Sequence, residues 1–474
     1  MKTRVQIERY HLILFVALVL LSACTGYHPA PESTPYELPR GFSLAGGQRQ
    51  PSCWWQTFKD KELERLEQQA LSENLDLKAA LARLRKAQAE AKQAGAELYP
   101  WLDINMGATH NTSRNLGQYS NEDVISLGAI ASYEVDLWGR LRKMKKAATL
   151  EVSASKSDLD AARITVASEL ALTYFDLQAL DLQLDIIDRQ IKDNKVSLDI
   201  VTSMYEYGQT DILDTLQQEQ AVEATIAQQI EKQMNLKILE NQLAILMGKP
   251  PQTVEIKMLK GLPTLPPLPK SGLPIELVNR RPDCKSAFFK LRAANARLAQ
   301  AVAEQYPRLS LTASANSDAS RVNDLFENWI ASLAASMLTP VFEGRRLEAQ
   351  VEKKEAEAWQ ALYDYSKIVL GALKEVEDAL AQEIHQRQLV KNMEKRFELS
   401  RKSLEQVKEQ YKAGTVEFLR FLATELNTDS LEIQLVTERL KLIKYRIALY
   451  RALAGPIPTT GYPYENRNQQ GSWR

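Results

Sequence analysis

Proline is missing from two very long stretches of this sequence, and this feature limits the fold more than any other. No proline occurs between Pro100 and Pro250, and none between Pro340 and Pro456. Proline removes a helical hydrogen bond and clashes with the preceding turn, so each stretch can hold helices far longer than the usual length of about 11 residues. In the first stretch, mostly apolar residues recur at alternating steps of three and four: Leu159, Ala162, Val166, Leu170, Thr173, Leu177, Leu180, Leu184, Ile187 and Ile191. This spacing is typical of a coiled-coil seam.

Glycines divide each proline-free stretch into two helices. Gly208 and Gly414 interrupt the apolar periodicity and tolerate positive φ angles, so a long helix can end at each and a second helix can return. A helix from 140 to 207 is roughly 100 Å long at about 1.5 Å per residue. The predicted helices are about 140–207 and 212–247 in the first stretch, and about 345–412 and 416–454 in the second.

The second half of the chain repeats the first at an offset of about 206 residues. The matching landmarks are Tyr99-Pro100 with Tyr306-Pro307, Trp138-Gly139-Arg140 with Glu343-Gly344-Arg345, and Tyr207-Gly208 with Ala413-Gly414. This order and spacing predict an internal duplication. The predicted organisation is repeat 1 at 53–249, a Pro-rich joint at 250–282, repeat 2 at 283–455, and a C-terminal tail at 456–474.

Four segments alternate between apolar and polar residues, as β-strands with one apolar face do. The predicted strands are about 102–109, 124–138, 309–316 and 328–342, with polar loops at 110–123 and 317–327. A sandwich with one face on a core would give the same alternation. Polar loops between strands of this length favour the wall of an outer-membrane barrel, with lipid outside and water inside.

Four strands cannot close a barrel by themselves. An open edge in hydrocarbon would leave unpaired backbone groups at several kcal/mol each, so other copies of the chain must supply the missing strands. Two copies give eight strands, whose interior side chains fill, whereas three give twelve and leave a lumen. The sequence therefore predicts an internally duplicated α+β membrane protein that forms a homotrimer.

The amino-terminal residues have the pattern of a targeting signal. Lys2, Arg4 and Arg9 precede the apolar stretch Leu12–Leu21, which ends in Ser22-Ala23-Cys24. This pattern predicts a signal peptide at 1–23 and resembles a bacterial lipobox, in which Cys24 becomes the acylated first residue, with palmitate among its acyl chains. An ordinary signal peptide that happens to carry a cysteine is the alternative. Thr25 after the cysteine favours the outer membrane, and the Pro-rich segment 24–52 is predicted to be an extended tether.

Composition argues against several other functions. The chain has 60 Lys+Arg and 60 Asp+Glu, so its net charge of zero makes nucleic acid an unsuitable partner. The sequence contains no Gly-rich phosphate loop, no Gly-x-Ser-x-Gly motif and no His-Glu-x-x-His motif. His28, His110 and His385 are far apart in the sequence. We therefore expect neither catalysis nor a metal or cofactor beyond the lipid. Cys284 takes an apolar helix position, which favours a packed thiol, although a Cys53–Cys284 disulfide is the alternative.

Ordered motifs in both repeats resemble the outer-membrane efflux protein family of the TolC and OprM type. They are Trp54-Trp55-Gln56-Thr57-Phe58, Asn74-Leu75-Asp76-Leu77, Tyr99-Pro100, Tyr133-Glu134-Val135-Asp136-Leu137-Trp138-Gly139-Arg140-Leu141, Arg281-Pro282-Asp283, Ala293-Ala294-Asn295-Ala296, Tyr306-Pro307-Arg308-Leu309-Ser310-Leu311, Gly344-Arg345 and Glu375-Val376-Glu377-Asp378-Ala379-Leu380-Ala381. Cys24 resembles the lipoprotein branch that serves drug-efflux pumps.

The resemblance implies a homotrimer with one twelve-stranded barrel and a periplasmic α-helical tunnel. It further implies a mixed equatorial region around the tunnel, to which residues 54–81, the joint at 250–282 and the C-terminal tail contribute. It also implies the exit duct of a tripartite efflux pump, passive by itself and docked to a periplasmic adaptor and an inner-membrane RND-type transporter. Two alternatives stay open: a lipid-anchored periplasmic coiled-coil scaffold or adaptor, and the export duct of a type I secretion system.

The resemblance also points to residues at the periplasmic tunnel end. The family often carries an acidic Leu-Asp-Ala triplet there, but this sequence has Leu422-Ala423-Thr424, so a carboxylate ring at Ala423 is excluded. The nearby candidates for a gate are Asp211, Asp214, Tyr411, Glu417 and Arg420, against the alternative of a solvated helix face. The turn residues that resemble adaptor-contacting loops are Tyr207, Gly208, Gln209, Ala413, Gly414 and Thr415, where a structural helix cap is the competing interpretation.

Overall fold

The computed structural model describes residues 28–43, 53–253, 256, 261–269 and 271–454. The signal peptide, Cys24 and the C-terminal tail at 456–474 lie outside the described residues. The chain divides into two compact units: unit 1 comprises Met1–Pro35, Lys86–Ala154 and Ala287–Ser366, and unit 2 comprises Tyr36–Arg85, Ser155–Ser286 and Lys367–Arg474. Both units draw on both repeats.

The elements follow the same order in each half of the chain. In the first half they are a 3₁₀ helix at Trp54–Phe58, α1 at Lys61–Glu73, α2 at Leu75–Ala96, β1 at Trp101–Asn115, β2 at Gln118–Val135, α3 at Arg140–Glu206 and α4 at Ile212–Leu246. In the second half they are α5 at Pro274–Arg280, α6 at Pro282–Ala303, β3 at Arg308–Ala319, a 3₁₀ turn at Val322–Asp324, β4 at Ile330–Leu338, α7 at Arg346–Lys412 and α8 at Phe418–Leu453.

The α+β fold predicted from the sequence is confirmed. α3 and α7 each have 67 residues, and four antiparallel strands form one sheet in the order β1-β2-β3-β4. None of the helices in the described ranges has the length and hydropathy required to cross a bilayer.

The sheet register aligns the residues that were predicted to share a face. One row across the four strands is Leu102, Ala131, Ala313 and Leu333, and the adjacent row is Asp103, Ile130, Ser314 and Ser332. Ser314 and Ser332 also share a hydroxyl hydrogen bond of 2.8 Å. Alternate rows therefore place small and apolar residues on one face and mostly polar residues on the other.

The strand bounds correct two expectations. The loop predicted at 110–123 is wrong, because β1 and β2 continue pairing up to Asn115 with Gln118, around a two-residue turn at Leu116-Gly117. β3 likewise runs to Ala319, into the predicted loop at 317–327, whereas β4 at Ile330–Leu338 is shorter than the predicted 328–342. Hydrogen-bond ladders do not require an apolar face, so the pairing outlasts the alternation on which the prediction depended.

Local caps explain where α3 begins. The Asp136 carboxylate accepts hydrogen bonds from the backbone N–H groups of Leu141 and Arg142, both at 3.0 Å. Gly139, with φ of 78°, makes the sharp turn between strand and helix. Trp138 stacks on Tyr306 at 4.9 Å and donates its indole N–H to the Pro307 carbonyl at 2.8 Å, which joins one landmark of repeat 1 to a different landmark of repeat 2.

The main core of unit 2 is aromatic. Trp54 stacks on Tyr450 with ring centroids 5.5 Å apart, and Phe58 packs against Phe175 at 4.9 Å. Nearby, the Tyr174 hydroxyl donates to the Asp60 carboxylate at 2.7 Å, and Asp60 also caps α1. The packing of this core thus joins residues that are more than 100 positions apart in the chain.

A buried ion pair holds the Pro-rich joint in place. Arg446 and Glu383 are fully buried and joined by two hydrogen bonds of 2.5 and 2.8 Å. The same guanidinium donates to the Pro266 carbonyl at 2.9 Å and the Pro267 carbonyl at 3.3 Å. The joint is therefore attached to α7 and α8, and it contains the short helix α5 that the sequence did not predict.

The segment predicted as an extended tether contacts the rest of the chain at two places where the structure describes it. Ala30 is buried, with 2 % of its surface exposed, and is hydrogen-bonded to Asn295. In unit 2, Ser43 donates its backbone N–H to the Glu377 carboxylate at 2.9 Å. Residues 28–43 contain no helix or strand.

Cys53 and Cys284 are both free thiols, so the alternative of a disulfide between them is wrong. Cys284 is buried, and burial raises the pKa of its thiol to about 12. The packed thiol predicted from its helix position agrees with this environment.

Candidate functional site

The helix turns at Gly208 and Gly414 in unit 2 share one backbone geometry. Gly208 donates to the Tyr205 carbonyl at 2.9 Å, and Gln209 donates to the Met204 carbonyl at 2.8 Å. In the second repeat, Gly414 donates to Tyr411 at 2.9 Å and Thr415 donates to Gln410 at 3.0 Å. This pair of bonds is the Schellman motif, which satisfies the last carbonyl groups of a helix and requires a left-handed residue.

Positive φ angles, and not crowding, explain the two glycines. Their φ angles are 70° at Gly208 and 69° at Gly414. A Cβ atom added at either position would meet no heavy atom within 4 Å. The candidate adaptor-contacting residues Tyr207, Gly208, Gln209, Ala413, Gly414 and Thr415 are all exposed in the protomer. The turns therefore combine a rigid backbone with a free surface, so the capping and contact interpretations are compatible.

An aromatic cluster lies directly behind these turns. Tyr411 stacks on Phe421 with centroids 5.4 Å apart and planes 9° apart, and it contacts Phe418 at 5.7 Å. The cluster also includes Val201, Ala221, Val407 and Leu422, so α3, α4, α7 and α8 all contribute to it. The sequence pointed to Tyr411 alone. Phe418 and Phe421 are three residues apart and therefore lie on one helix face, a spacing that could have predicted the aromatic cluster.

Tyr411 links the two repeats. Its hydroxyl donates to the Met204 sulfur at 3.6 Å, across from α7 to α3. Burial raises the pKa of Tyr411, and the negative charge of Asp214 raises it further. Tyr411 thus stays protonated and acts as a packing residue at the place where the sequence suggested a gate.

Asp211 and Asp214 make local hydrogen bonds at the start of α4. The Asp211 carboxylate caps the helix by accepting from the Leu213 N–H at 3.1 Å. The Asp214 carboxylate accepts a hydrogen bond from the Thr210 hydroxyl. Glu417, the equivalent N-cap residue of α8, makes no side-chain capping bond. The candidate acids therefore differ. Asp211 and Asp214 of repeat 1 accept hydrogen bonds at the start of α4, whereas Glu417 of repeat 2 is exposed and does not cap its helix.

Arg420 lies in the first turn of α8, where its backbone N–H donates to the Glu417 carbonyl at 3.1 Å. It is exposed and lines a shallow groove between α7 and α8 together with Arg396, Ser400 and Asn427. The structure does not bring Arg420 into a pair with Asp214, whose carboxylate is held by Thr210. A contact between these two residues would have to join different copies of the chain.

A cluster of carboxylates that sequence analysis missed lies farther along α8. Glu425 and Asp429 are half-buried, and burial raises the pKa of each to about 7. The neighbouring charges of Glu425, Glu432 and Asp193 raise the pKa of Asp429 further, and Arg189 opposes them. Arg189 is itself paired with Glu432 at 2.6 Å. Two acids four residues apart on one helix were the sequence signal.

Hydrogen bonds and ion pairs connect the four long helices in unit 2. Gln229 of α4 donates to Asp188 of α3 at 2.5 Å, Arg189 of α3 pairs with Glu432 of α8, and Arg439 of α8 pairs with Glu394 of α7 at 2.7 Å. Helix α4 also contacts α8, so the four helices pack as one group.

Helices α4 and α7 expose apolar side chains. On α4 these include Ile230, Met234 and Ile238, at steps of four residues. On α7 they include Tyr363, Leu370, Leu389 and Leu399. Solvent-facing apolar stripes of this kind are typical of surfaces that another helix covers.

The sheet of unit 1 has two unpaired edges, β1 and β4. Every residue of β4 is exposed in the protomer, including Leu333 at 83 %. Within the described ranges, no group of three or more His, Cys, Asp or Glu residues is arranged to hold a metal ion. The functional features of the chain are therefore its open edges, helix turns and charged helix faces.

Comparison with known proteins agrees with this arrangement. Residues 66–249 and 273–455 match the sequence profile of the outer membrane efflux protein family, once in each half of the chain. The chain is 32 % identical over 472 residues to the pyoverdine export outer membrane protein OpmQ of Pseudomonas aeruginosa, covering 94 % of this chain and 96 % of OpmQ. It is 25 % identical over 425 residues to the probable outer membrane lipoprotein SilC of Salmonella typhimurium, covering 87 % and 92 %.

A solved structure of the outer-membrane channel OprN superposes with a TM-score of 0.81 at 26 % identity, covering 90 % of this chain and 99 % of OprN. The resemblance found in the ordered motifs and the predicted outer-membrane location are confirmed. The chain belongs to the outer membrane efflux protein family, a family of outer-membrane channels.

Proposed function

We propose that three copies of this chain close one twelve-stranded barrel and one helical tunnel, and that the resulting duct passively conducts small molecules from the periplasm to the exterior. The observation that carries this proposal is the pair of open edges in each unit. β1 and β4 are the unpaired edges of the sheet, and α4 and α7 expose apolar side chains in the protomer.

Backbone chemistry makes closure necessary in lipid. Each unpaired N–H or C=O group on β1 or β4 would cost several kcal/mol in hydrocarbon. Pairing β4 of one copy with β1 of the next removes both edges. Twelve strands leave a lumen, whereas eight strands would be filled by side chains.

We propose that the exposed turns at Gly208 and Gly414 contact a periplasmic adaptor, which joins the duct to an inner-membrane RND-type transporter. Their Schellman geometry supports this role, because a rigid turn loses little conformational entropy on binding. The name of OpmQ describes export of pyoverdine, which supports a small-molecule cargo here too. In this arrangement the transporter supplies the energy and selects the cargo, and the duct has no catalytic part.

We propose that Cys24 is acylated and anchors the mature chain to the outer membrane. The relative SilC bears the name of a probable outer membrane lipoprotein, which supports this modification. The intact mass of the purified mature protein tests this modification. The expected mass is that of a chain that has lost residues 1–23 and gained a diacylglycerol group and an amide-linked acyl chain on Cys24. Cys24→Ser should abolish that mass.

The duct is tested by assembly and conductance. The expected result is an SDS-resistant trimer that forms channels in planar bilayers, with conductance that rises when the cognate adaptor is added. A monomer in detergent that never conducts would contradict the trimeric duct and favour the lipid-anchored coiled-coil scaffold.

The gate is proposed at the tunnel end, where Asp214 and Arg420 of different copies meet with Asp211, Tyr411 and Glu417 nearby. Charge reversal at either Asp214 or Arg420 should raise the conductance of the isolated channel, because like charges then face each other. The double reversal should restore the parent conductance. If both single variants conduct no more than the parent, the constriction lies elsewhere along the tunnel.

A further inference from the structure

The contact between α3 and α8 in unit 2 changes in character along its length. Farther from the turns, Ala179 and Ile186 of α3 pack with Val436 of α8. Next to the turns, both helices contribute to the aromatic cluster. Between these two apolar contacts the helices meet through charged and polar side chains, so the middle of the contact has no apolar core of its own.

Four carboxylates and two cations occupy this middle part, which we call the acid seam. Its members are Glu425, Asp429 and Glu432 of α8, Asp193 and Arg189 of α3, and Lys408 of α7. Gln190 of α3 donates to the Asp429 backbone carbonyl at 3.2 Å, which brings the acids of α8 against α3. Among the described residues, one buried carboxylate oxygen of Glu425 has no hydrogen-bond partner. The seam therefore holds more acid than its partners satisfy.

The charge of the acid seam depends on two protons. Burial raises the pKa of Glu425 and of Asp429 to about 7. While both acids hold protons, the two remaining carboxylates face two cations and the seam is neutral. When both acids ionise, the seam carries an excess of two negative charges in a half-buried place. Like charges there repel and favour the entry of water, so ionisation weakens the contact between α3 and α8.

Repeat 1 and repeat 2 match without a gap in this region, so each member of the acid seam has a counterpart. The helices α7 and α8 begin 206 residues after α3 and α4, respectively. Asp193 corresponds to Leu399, and Glu425 and Asp429 correspond to Glu219 and Glu223. These three counterparts are exposed in the protomer. The corresponding contact, between α7 and α4, is therefore open in a single copy.

In the proposed duct, the repeats follow one another around the axis, so α4 of one copy meets α7 of the next in the way that α8 meets α3. Arg396 corresponds to Gln190, and Glu223 corresponds to Asp429. The contact between Gln190 and Asp429 thus becomes a contact between Arg396 and Glu223 of adjoining copies. Opposite charges meet there, and their attraction persists as the pH rises through 7.

We propose that release of protons from the acid seam opens the tunnel end, because α8 then separates from α3 within each copy while α4 and α7 of adjoining copies stay in contact. The apolar contact of Ala179 and Ile186 with Val436 acts as the hinge. This inference rests on the proposed trimeric duct, and it adds which contact opens and what controls it.

Conductance at two pH values is the first test. The parent trimer in planar bilayers should conduct at least twofold more at pH 8.5 than at pH 5.5, in the same salt. In the variant Glu425→Gln with Asp429→Asn, the seam stays neutral, so the conductance should be equal at the two pH values. Equal conductance of the parent at both pH values would overturn the inference, and so would a double variant that keeps the parent's ratio.

The counterparts in repeat 1 supply a matched control. Glu219→Gln with Glu223→Gln removes the same number of carboxylates from the equivalent positions of α4. This variant should keep the parent's ratio of conductance between pH 8.5 and pH 5.5, because the acid seam is intact. Loss of the ratio in this control would mean that carboxylates of the long helices act in general, and the acid seam would have no special role.

A reversible cross-link tests whether the opening occurs within one copy. The hydroxyl of Tyr411 on α7 lies 3.6 Å from the sulfur of Met204 on α3, and α7 is joined to α8 by the pair of Glu394 and Arg439. A disulfide in the variant Met204→Cys with Tyr411→Cys should remove the pH dependence of conductance, and reduction should restore it. An oxidised variant that keeps the parent's ratio would show that this contact does not open.

The same recordings distinguish this inference from the proposed function. A parent channel that conducts equally at both pH values contradicts the acid seam and leaves the duct standing. A parent that never conducts, at either pH, contradicts the duct and the inference together.

Discussion

Glu425 and Asp429 lie in a different environment from the gate residues suggested by the sequence. Asp211, Asp214 and Tyr411 are held by local hydrogen bonds or packing at the turns. The two acids of α8, by contrast, face other carboxylates and are half-buried. At residue scale, the groups with a pKa of about 7 therefore begin at Glu425, the residue that directly follows the family-like triplet Leu422-Ala423-Thr424.

The first prediction concerns the pH dependence of this cluster. The pKa values of Glu425 and Asp429 are raised to about 7 from ordinary values of 4.5 and 3.8, so the folded state binds protons that the unfolded state has released. The stabilisation is fully present below about pH 4 and is lost as the pH rises through 7. We expect the α8 amides near Glu425 to exchange faster at pH 8.5 than at pH 5.5, after correction for intrinsic exchange.

The double variant Glu425→Gln and Asp429→Asn should remove most of that pH dependence. Glu398→Gln is a suitable control, because the hydrogen bonds from Lys402 and Lys395 lower the pKa of Glu398 to about 2, outside this range. An unchanged pH dependence in the double variant would show that other groups titrate.

A second prediction concerns the turn glycines. Gly208→Ala should destabilise the turn by about 1 to 2 kcal/mol, because an L side chain resists the left-handed conformation. The same change at Gly371, in the middle of α7 with no atom near its Cβ position, should be neutral or stabilising by up to about 1 kcal/mol. Hydrogen exchange at Gln209 measures the first effect, and equal exchange in parent and variant would contradict it.

At the scale of single elements, the β1–β2 hairpin departs most from the expectation. Beyond Ile125, where β2 stops pairing with β3, seven further pairs join β1 to β2. This extension is polar on both faces, with His110 bonded to Asp123 at 2.6 Å and Arg114 over the Tyr119 ring. The alternation signal ends there although the ladder continues.

A third prediction is that this extension is dispensable for assembly. Replacing residues 111–122 with Asn-Gly joins His110 to Asp123 through a two-residue turn, which suits a hairpin. None of the removed residues pairs with β3, so the yield of SDS-resistant trimer should stay within about twofold of the parent. Heat-modifiability on gels measures the yield, and complete loss of the trimer would mean that the extension guides assembly.

At the scale of the whole molecule, the protomer is incomplete. Both edges of its sheet lack a strand partner within the chain, and α4 and α7 expose apolar side chains. The known relatives and the outer-membrane location agree with a channel, and repetition of the chain around an axis is the simplest way to give every edge a partner.

A fourth prediction tests which face of the sheet contacts lipid. Leu333→Arg should reduce trimer yield strongly, because an arginine facing the bilayer midplane costs about 2 to 4 kcal/mol. Ser332→Arg, one residue away and on the opposite face, should assemble nearly as well as the parent and should alter conductance instead. Equal effects of the two variants on assembly would contradict a lipid-facing Leu333.

The sequence by itself determined the features that depend on residues a few positions apart. Proline-free stretches, coiled-coil spacing, turn glycines and strand alternation are all local, and they predicted the long helices, the four strands and the duplication. Only the tertiary structure decided the contacts of Asn295 with Ala30, of Tyr411 with Met204, and of Arg446 with the Pro-rich joint. These partners are separated by 180 to 265 positions in the chain, and their pairing depends on how whole elements pack.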